Sequence, residues 1–350
     1  MYVTLKTDLA EKIINLDTDK IKSIFNLLFP SYDDILFEEI ARRSREFIYN
    51  SIINITRNFK KIYINNCHFT AISLSQWDTD ILSIPTFKLY HCIFQKNDTC
   101  IYQAMRDLDT IFYNVIPEKS LIISRILAKD TREFYQSLLA STQVYSYYVT
   151  DNLIIMRADP IELLARLQRT ISTKPIHKNY NIIVSTVNLG RSLAYKVGML
   201  LKENFAGSHF FNDPRIPTEK AREIYYKWGV TSAHKTSQNY IKVLAISNNN
   251  DVVGYASFKL ENVANIKVIV LELIVVDNNV KGKGIALQLV EKGLNYIFEI
   301  AQNNIKYIYV GTWSNNTRAL SFYEKIGFRI SKTLVTLHIW KLNQNKLHLR

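Results

Sequence analysis

The sequence predicts an α+β protein whose C-terminal half is a mixed central sheet flanked by helices. Three observations carry this. After residue 180, short apolar runs of strand length alternate with longer segments of helical periodicity. The densest apolar run, "VIVLELIVV" (268–276), is too short to cross a membrane and reads as a buried strand. It leads through a two-glycine turn into a helix whose apolar positions Leu287, Val290, Leu294, Ile297 and Ala301 are spaced 3, 4, 3, 4.

In chain order, residues 1–68 read as a helical extension. Asp17 and Thr18 are suited to cap "IKSIFNLLF", and "YDDILFEEIARRSREFIYNSI" continues the helical pattern. Residues 69–178 form a smaller α/β unit, entered through a strand in "RNFKKIYINNCHFTAISL". It carries strand-like "TFKLYHCIF", "SLIISRIL", "YSYYVT" and "NLIIMRA" around the helical "DTREFYQSLLAST". Residues 179–350 form the third unit. Its order is the strand "NIIVSTV", two helices over 190–205 and 217–235, and the hairpin "YIKVLAIS"/"VVGYASFKL". The buried strand, the glycine turn and its helix follow, then "YIYVGTW", the short helix "NTRALSFYEKI" and the final strand "TLVTLHIWKL".

Bulk properties narrow the classes. The 350 residues carry a net charge of +13. That points to an acidic or phosphate-rich partner, or to the Ile/Asn/Lys/Tyr bias of an AT-rich genome. Cys67, Cys92 and Cys100 are odd in number, widely spaced and without a CxxC, which argues for free thiols in a reducing compartment. His68 and His91 adjoin cysteines, but the spacing is not that of a zinc site, so no metal is expected. The N-terminus is too charged for a signal peptide, so the protein is expected to be cytoplasmic.

The turn Lys281–Gly282–Lys283–Gly284 opens the helix that follows the buried strand. The first amides of a helix lack internal acceptors and sit at the positive end of its dipole. Glycines let an anion approach that backbone closely, and two lysines add charge. The turn therefore reads as a diphosphate cradle, with a plain strand-to-helix turn as the alternative. GxGxxG fails at Leu287, and GxxxxGK[ST] is absent. Farther on, Asn316 and Tyr323 lie about two helical turns apart and share a face, with Ala319 between them.

"VDNNVKGKGIA" followed by "NTRALSFYEKIGF" resembles the GNAT superfamily of acyl-CoA N-acyltransferases. The family's Arg/Gln-x-x-Gly-x-Gly/Ala signature is met here by Lys281, Gly284 and Ala286. The resemblance implies an N-acetyltransferase that uses acetyl-CoA as co-substrate. Ile274, Val275 and Val276 would line the pantetheine arm, and Lys281, Gly282, Lys283, Gly284, Ile285, Ala286 and Leu287 would hold the diphosphate. Asn316 would contact the arm, or simply cap its helix, and Tyr323 would protonate the departing thiolate. Glu272 alternates with Ile274 and Val276, so it is expected on their face, as a base or as half of a buried ion pair.

"SHFFNDPRIPTEKAREIYYKW", "VGTWSNN" and "HIW" more narrowly resemble the TDP-fucosamine acetyltransferase group. That likeness implies an acceptor amine on a nucleotide-linked amino-deoxysugar, in surface polysaccharide biosynthesis. His209, Asp213, Arg215 and Trp228 would contact it, with Tyr225 nearby and His338 and Trp340 closing the cleft. A protein, peptide or other small-molecule amine is the alternative acceptor. A non-catalytic basic module for nucleic acid is the other reading, disfavoured because Tyr323 and Asn316 are both present. No membrane insertion is expected, and a homodimer is left open.

Overall fold

A computed structural model describes residues 9–139, 145–173, 180–302 and 304–341. The chain divides into two compact units. One holds residues up to Leu153 together with those from Lys332 onward, and the other holds Ile154–Ser331. These divisions differ from the expected boundaries near 68 and 178. The N-terminal helices pack into the first unit, and the final strand returns to it.

In the first unit, α1 (9–14) precedes α2 (Thr18–Leu28), α3 (Asp34–Arg43) and α4 (Arg45–Thr56). Each of the last three starts where a short polar side chain accepts a free amide: Asp17 from Lys20, Asp33 from Leu36 and Ser44 from Phe47. Next come β1 (Lys61–Ile64), β2 (His68–Leu74), α5 (Gln76–Leu82), β3 (Thr86–Ile93), α6 (Asp98–Asn114), β4 (Ser120–Leu127), α7 (Thr131–Leu139) and β5 (Tyr145–Ala158). The strand expected across 57–74 is two strands. Asn65 accepts the amides of Cys67 and His68 and folds the chain back on itself. The sheet runs β1-β2-β3-β4-β11, where β11 is Arg329–Lys341, and only the β3–β4 pairing is parallel. Its core sets Leu108, Ile111 and Phe112 of α6 and Phe134 and Leu138 of α7 against Phe87, Ile122 and Leu337.

Cysteine corrects the expectation of free thiols. Cys67 and Cys100 form a disulfide between the β1–β2 turn and the first turn of α6. The two lie 33 residues apart in sequence but 5.0 Å apart at Cα, and only Cys92 is a buried free thiol. Closing a loop of that length is worth about 4 kcal/mol in chain entropy. Cys67→Ser, or dithiothreitol, is expected to lower the denaturant midpoint of the native chain by a corresponding amount. An unchanged midpoint in both cases would remove the bond from the fold's energetics. Beside it, His68 and His91 share a hydrogen-bonded cluster. His68 Nε2 lies 3.1 Å from Asp107, and the Thr70 hydroxyl bridges both rings.

Lys332 is buried and donates to the carbonyls of Asn26 and Phe29 at the end of α2. Burial lowers its pKa to about 7, opposed by the nearby Asp33 and Asp34. The unfolded lysine holds its proton up to about pH 10.4, so between those limits the unfolded state binds more protons. Stability is therefore expected to rise from about pH 7 toward pH 9, by at most ~1.4 kcal/mol per pH unit. Denaturant melts of wild type and Lys332→Met across that range check this, since the variant should lose the slope.

The second unit continues with α8 (Pro160–Thr173), β6 (Tyr180–Ser185), α9 (Gly190–Asn204), α10 (Thr218–His234), β7 (Tyr240–Ser247), β8 (Val252–Val263) and β9 (Ile266–Val276). It ends with α11 (Ile285–Ala301), β10 (Tyr307–Trp313) and α12 (Thr317–Ile326). The sheet order is β5-β10-β9-β8-β7-β6. One face packs on α8, α11 and α12 through Leu163, Leu167, Leu289, Val290, Ile297 and Ile326. The other packs on α9 and α10 through Val197, Leu201, Tyr225 and Ala233. This is the mixed sheet between helices that the alternation of patterns predicts.

Candidate active site

The site is built where β9 and β10 part. These strands pair in parallel from Val268–Tyr307 to Leu271–Val310, and their ladder goes no further. On its other side β9 stays paired with β8 up to Val276. The main chain from Glu272 to Val276 therefore has an open side toward β10, about 13 Å long at strand rise.

The β8–β9 register shifts at the same place. Ser257 faces Leu273 while Phe258 faces Leu271, so Glu272 is the extra residue of a β-bulge. This corrects the expected alternation. Ile274 and Val276 pack toward α11, whereas Leu273 and Val275 pack toward α9 and α10. Glu272 reaches Lys235, which follows α10, instead of sharing a face with Ile274 and Val276. A bulge breaks the period of two, and an apolar run gives no sign of it.

Beyond Val276, the chain makes a short turn over Asn278–Val280 and reaches the glycines. Asn204 accepts the amide of Asn278 and ties this turn to the end of α9. Gly282 and Gly284 both have left-handed backbone, with φ of +81° and +79°, which residues with a β-carbon rarely adopt. A β-carbon on Gly282 would meet no atom within 4 Å, so this turn borders open space. Gly284 is the N-cap of α11 and supplies no side-chain cap, so its own residue leaves the first amides of that helix unclaimed, and no side chain among the described residues takes them. Ile285 and Leu287 send their side chains into the core, so only their amides can serve a ligand. Lys281 donates to Asn278, and its pKa is lowered by burial and then by the Arg318 guanidinium. Arg318, in the first turn of α12, is a cation for this end of the site that motif reading missed; it precedes Ala319 without a fixed place in the motif.

Asn316 caps α12, its side chain accepting the Ala319 amide at 3.2 Å. Tyr323 packs its ring against Phe322 and Phe328. Its hydroxyl has no hydrogen-bond partner among the described residues, and burial pushes its pKa upward. The phenol is thus protonated at neutral pH and has a proton to donate.

The segment between α9 and α10 lies at the C-terminal end of β10. The His209 ring is 4.7 Å from the Trp313 ring, and a β-carbon on Gly207 would lie 3.3 Å from Asn315. Asp213 is buried and accepts the Arg215 amide at 2.9 Å. The Ser208 hydroxyl is buried with no partner among the described residues. Tyr225 stacks on Phe205, and Trp228 joins that aromatic group, so both also serve as core. His338 and Trp340 stand on the final strand, opposite Ile123 and Leu121 of the first unit. The final strand closes that sheet, which local pattern could not reveal.

Around Glu272 lies a polar cluster. Lys235 Nζ is 3.4 Å from the Glu272 carboxylate and 4.1 Å from the centre of the Tyr240 ring. The Ser232 hydroxyl meets those of Tyr240 and Tyr255, and Tyr240 also donates to Ser257. Lys242, fully buried, donates to the Lys235 carbonyl, and burial lowers its pKa.

Residues 204–328 match the profile described as "Acetyltransferase (GNAT) family". Over 141 residues the chain is 28% identical to "Spore coat polysaccharide biosynthesis protein SpsD" of Bacillus subtilis (strain 168), covering 40% of this chain and 45% of that one. It is 32% identical over 90 residues to "Uncharacterized protein YxbD" of the same organism, covering 26% and 51%. The chain thus spans about half the length of the curated relatives it matches. Among solved structures it is similar to a "Tandem GNAT protein from the clavulanic acid biosynthesis pathway", at 10% identity and a TM-score of 0.49, covering 78% of each chain.

Proposed function

Residues 204–328 match the GNAT acetyltransferase family, and from that match we propose that the chain moves an acetyl group from acetyl-CoA onto a primary amine. The observation that carries the reading is the conjunction at the end of β9. A helix start with unclaimed amides and left-handed glycines adjoins a main-chain edge that has lost its ladder partner. Those features fit a diphosphate with a long arm attached.

Bound there, acetyl-CoA would supply an acetyl group activated as a thioester. The amides of Ile285, Ala286 and Leu287 would hold the diphosphate, with Lys281, Lys283 and Arg318 as neighbouring charge. The open main chain at Ile274 and Val276 would take the amides of the arm. Tyr323 would donate its phenolic proton to the leaving sulfur. Asn316, already a cap through its oxygen, keeps its amide group for the arm. Glu272 would take a proton from the incoming ammonium once freed from Lys235.

For the acceptor, we infer the amine of a nucleotide-linked amino-deoxysugar used in surface polysaccharide. Support comes from the name of the SpsD relative and from the segment holding His209, Asp213 and Arg215, with His209 beside Trp313. The unsatisfied Ser208 hydroxyl lies in the same segment. The test is free-thiol release from acetyl-CoA with a panel of nucleotide-linked amino sugars, and with a peptide amine as the contrast. Turnover with a sugar is expected. Turnover with the peptide alone would reject the sugar acceptor, and no CoA binding would reject the transferase itself.

A further inference from the structure

We propose that Lys235 is an acceptor in cis: its ε-amine takes the acetyl group from acetyl-CoA bound in the same unit. The inference rests on the acetyltransferase reading and adds a modification site to it.

Three placements carry it. Glu272 is the first residue of β9 beyond the last rung shared with β10, and it is the bulged one. An arm that starts at the amides of α11 and follows the open edge back from Val276 brings its end to this residue, about 13 Å along the strand. Lys235 Nζ already lies 3.4 Å from the Glu272 carboxylate. The same nitrogen sits over the Tyr240 ring at 4.1 Å, so a carboxylate and an aromatic face hold it in place. The carboxylate is the one assigned above to the ammonium of an acceptor. The lysine side chain is 41% exposed, so it retains room to move toward a bound arm.

The step balances. The Lys235 ammonium gives one proton to Glu272 and attacks the thioester carbonyl carbon. The C–N bond forms, the C–S bond breaks, and Tyr323 protonates the departing thiolate; a second proton leaves the nitrogen and restores the phenol, and the third stays on the amide. The products are acetyl-lysine, CoA thiol and a carboxylic acid that returns its proton to water. Acetylation removes the lysine's charge, ends the ion pair and leaves Glu272 available to an external amine.

The experiment incubates the full chain with acetyl-CoA and maps acetyl-lysine by peptide mass spectrometry over time. Lys259 and Lys292 are the internal references: each is paired to a glutamate, Glu261 and Glu291, and each is more exposed than Lys235. Lys235 is expected to acetylate about 100-fold faster than either, through proximity and a positioned base. Desulfo-CoA should suppress acetylation at Lys235 and leave the references unchanged. Glu272→Gln should slow Lys235 alone, by about tenfold. Equal rates at the three lysines, or indifference to desulfo-CoA, would overturn the proposal. Calorimetry with CoA separates the two ideas. Binding without preferential modification overturns only the cis acceptor, while absence of binding overturns the transferase reading as well.

Discussion

Tyr323→Phe is expected to lower turnover, followed as thiol release, by about 100-fold or more while leaving CoA affinity within about twofold. The phenyl ring keeps its packing against Phe322 and Phe328, so the core at the end of α12 is preserved. What is lost is one hydroxyl. It has no partner within the described residues, so its removal orphans nothing. Burial also raises the phenol's pKa, so the wild-type group stays a proton donor through the neutral range. Steady-state kinetics together with CoA titration decide the matter. A loss of CoA affinity with turnover preserved would move Tyr323 from proton donor to binding residue.

Gly284→Val is expected to weaken CoA binding by at least ~10-fold, or ~1.4 kcal/mol. The position has φ of +79°, and a β-branched residue there costs about 1–2 kcal/mol of backbone strain. The strain alone would lower the melting temperature without touching ligand, so a control is needed. Gly190 opens α9 with φ of +76° and open space where a β-carbon would stand. Gly190→Val should cost similar stability and spare CoA affinity. If both variants bind CoA like the wild type, the amides of α11 are not the diphosphate site.

What could be read from the amino acids was set by local repetition. The helix over 285–301 declares itself by spacing, and the two-glycine turn by composition, so the place proposed for the diphosphate is legible. Asn316 and Tyr323 stand at fixed offsets in one short helix and are legible for the same reason. What failed depends on pairing between distant segments. The bulge at Glu272 exists only relative to β8, so the residue's partner, Lys235, could not be seen from β9 alone. The disulfide joins a turn to a helix start 33 residues on, and nothing in the cysteine spacing marks it. The pairing of the final strand was hidden for the same reason, since β11 finds β4 more than 200 residues earlier in the chain.

That last pairing has a consequence for synthesis. Residues 154–331 lie within the sequence of the first unit as an insert, and the Ser331 hydroxyl donates to the Ile155 carbonyl where the insert begins and ends. On a ribosome the insert is fully translated before residues 332–341 appear. Until then β4 presents a row of unpaired amides and carbonyls to whatever strand it meets. A nascent chain stalled near residue 331 would thus carry a fully translated insert within a unit whose sheet is still one strand short.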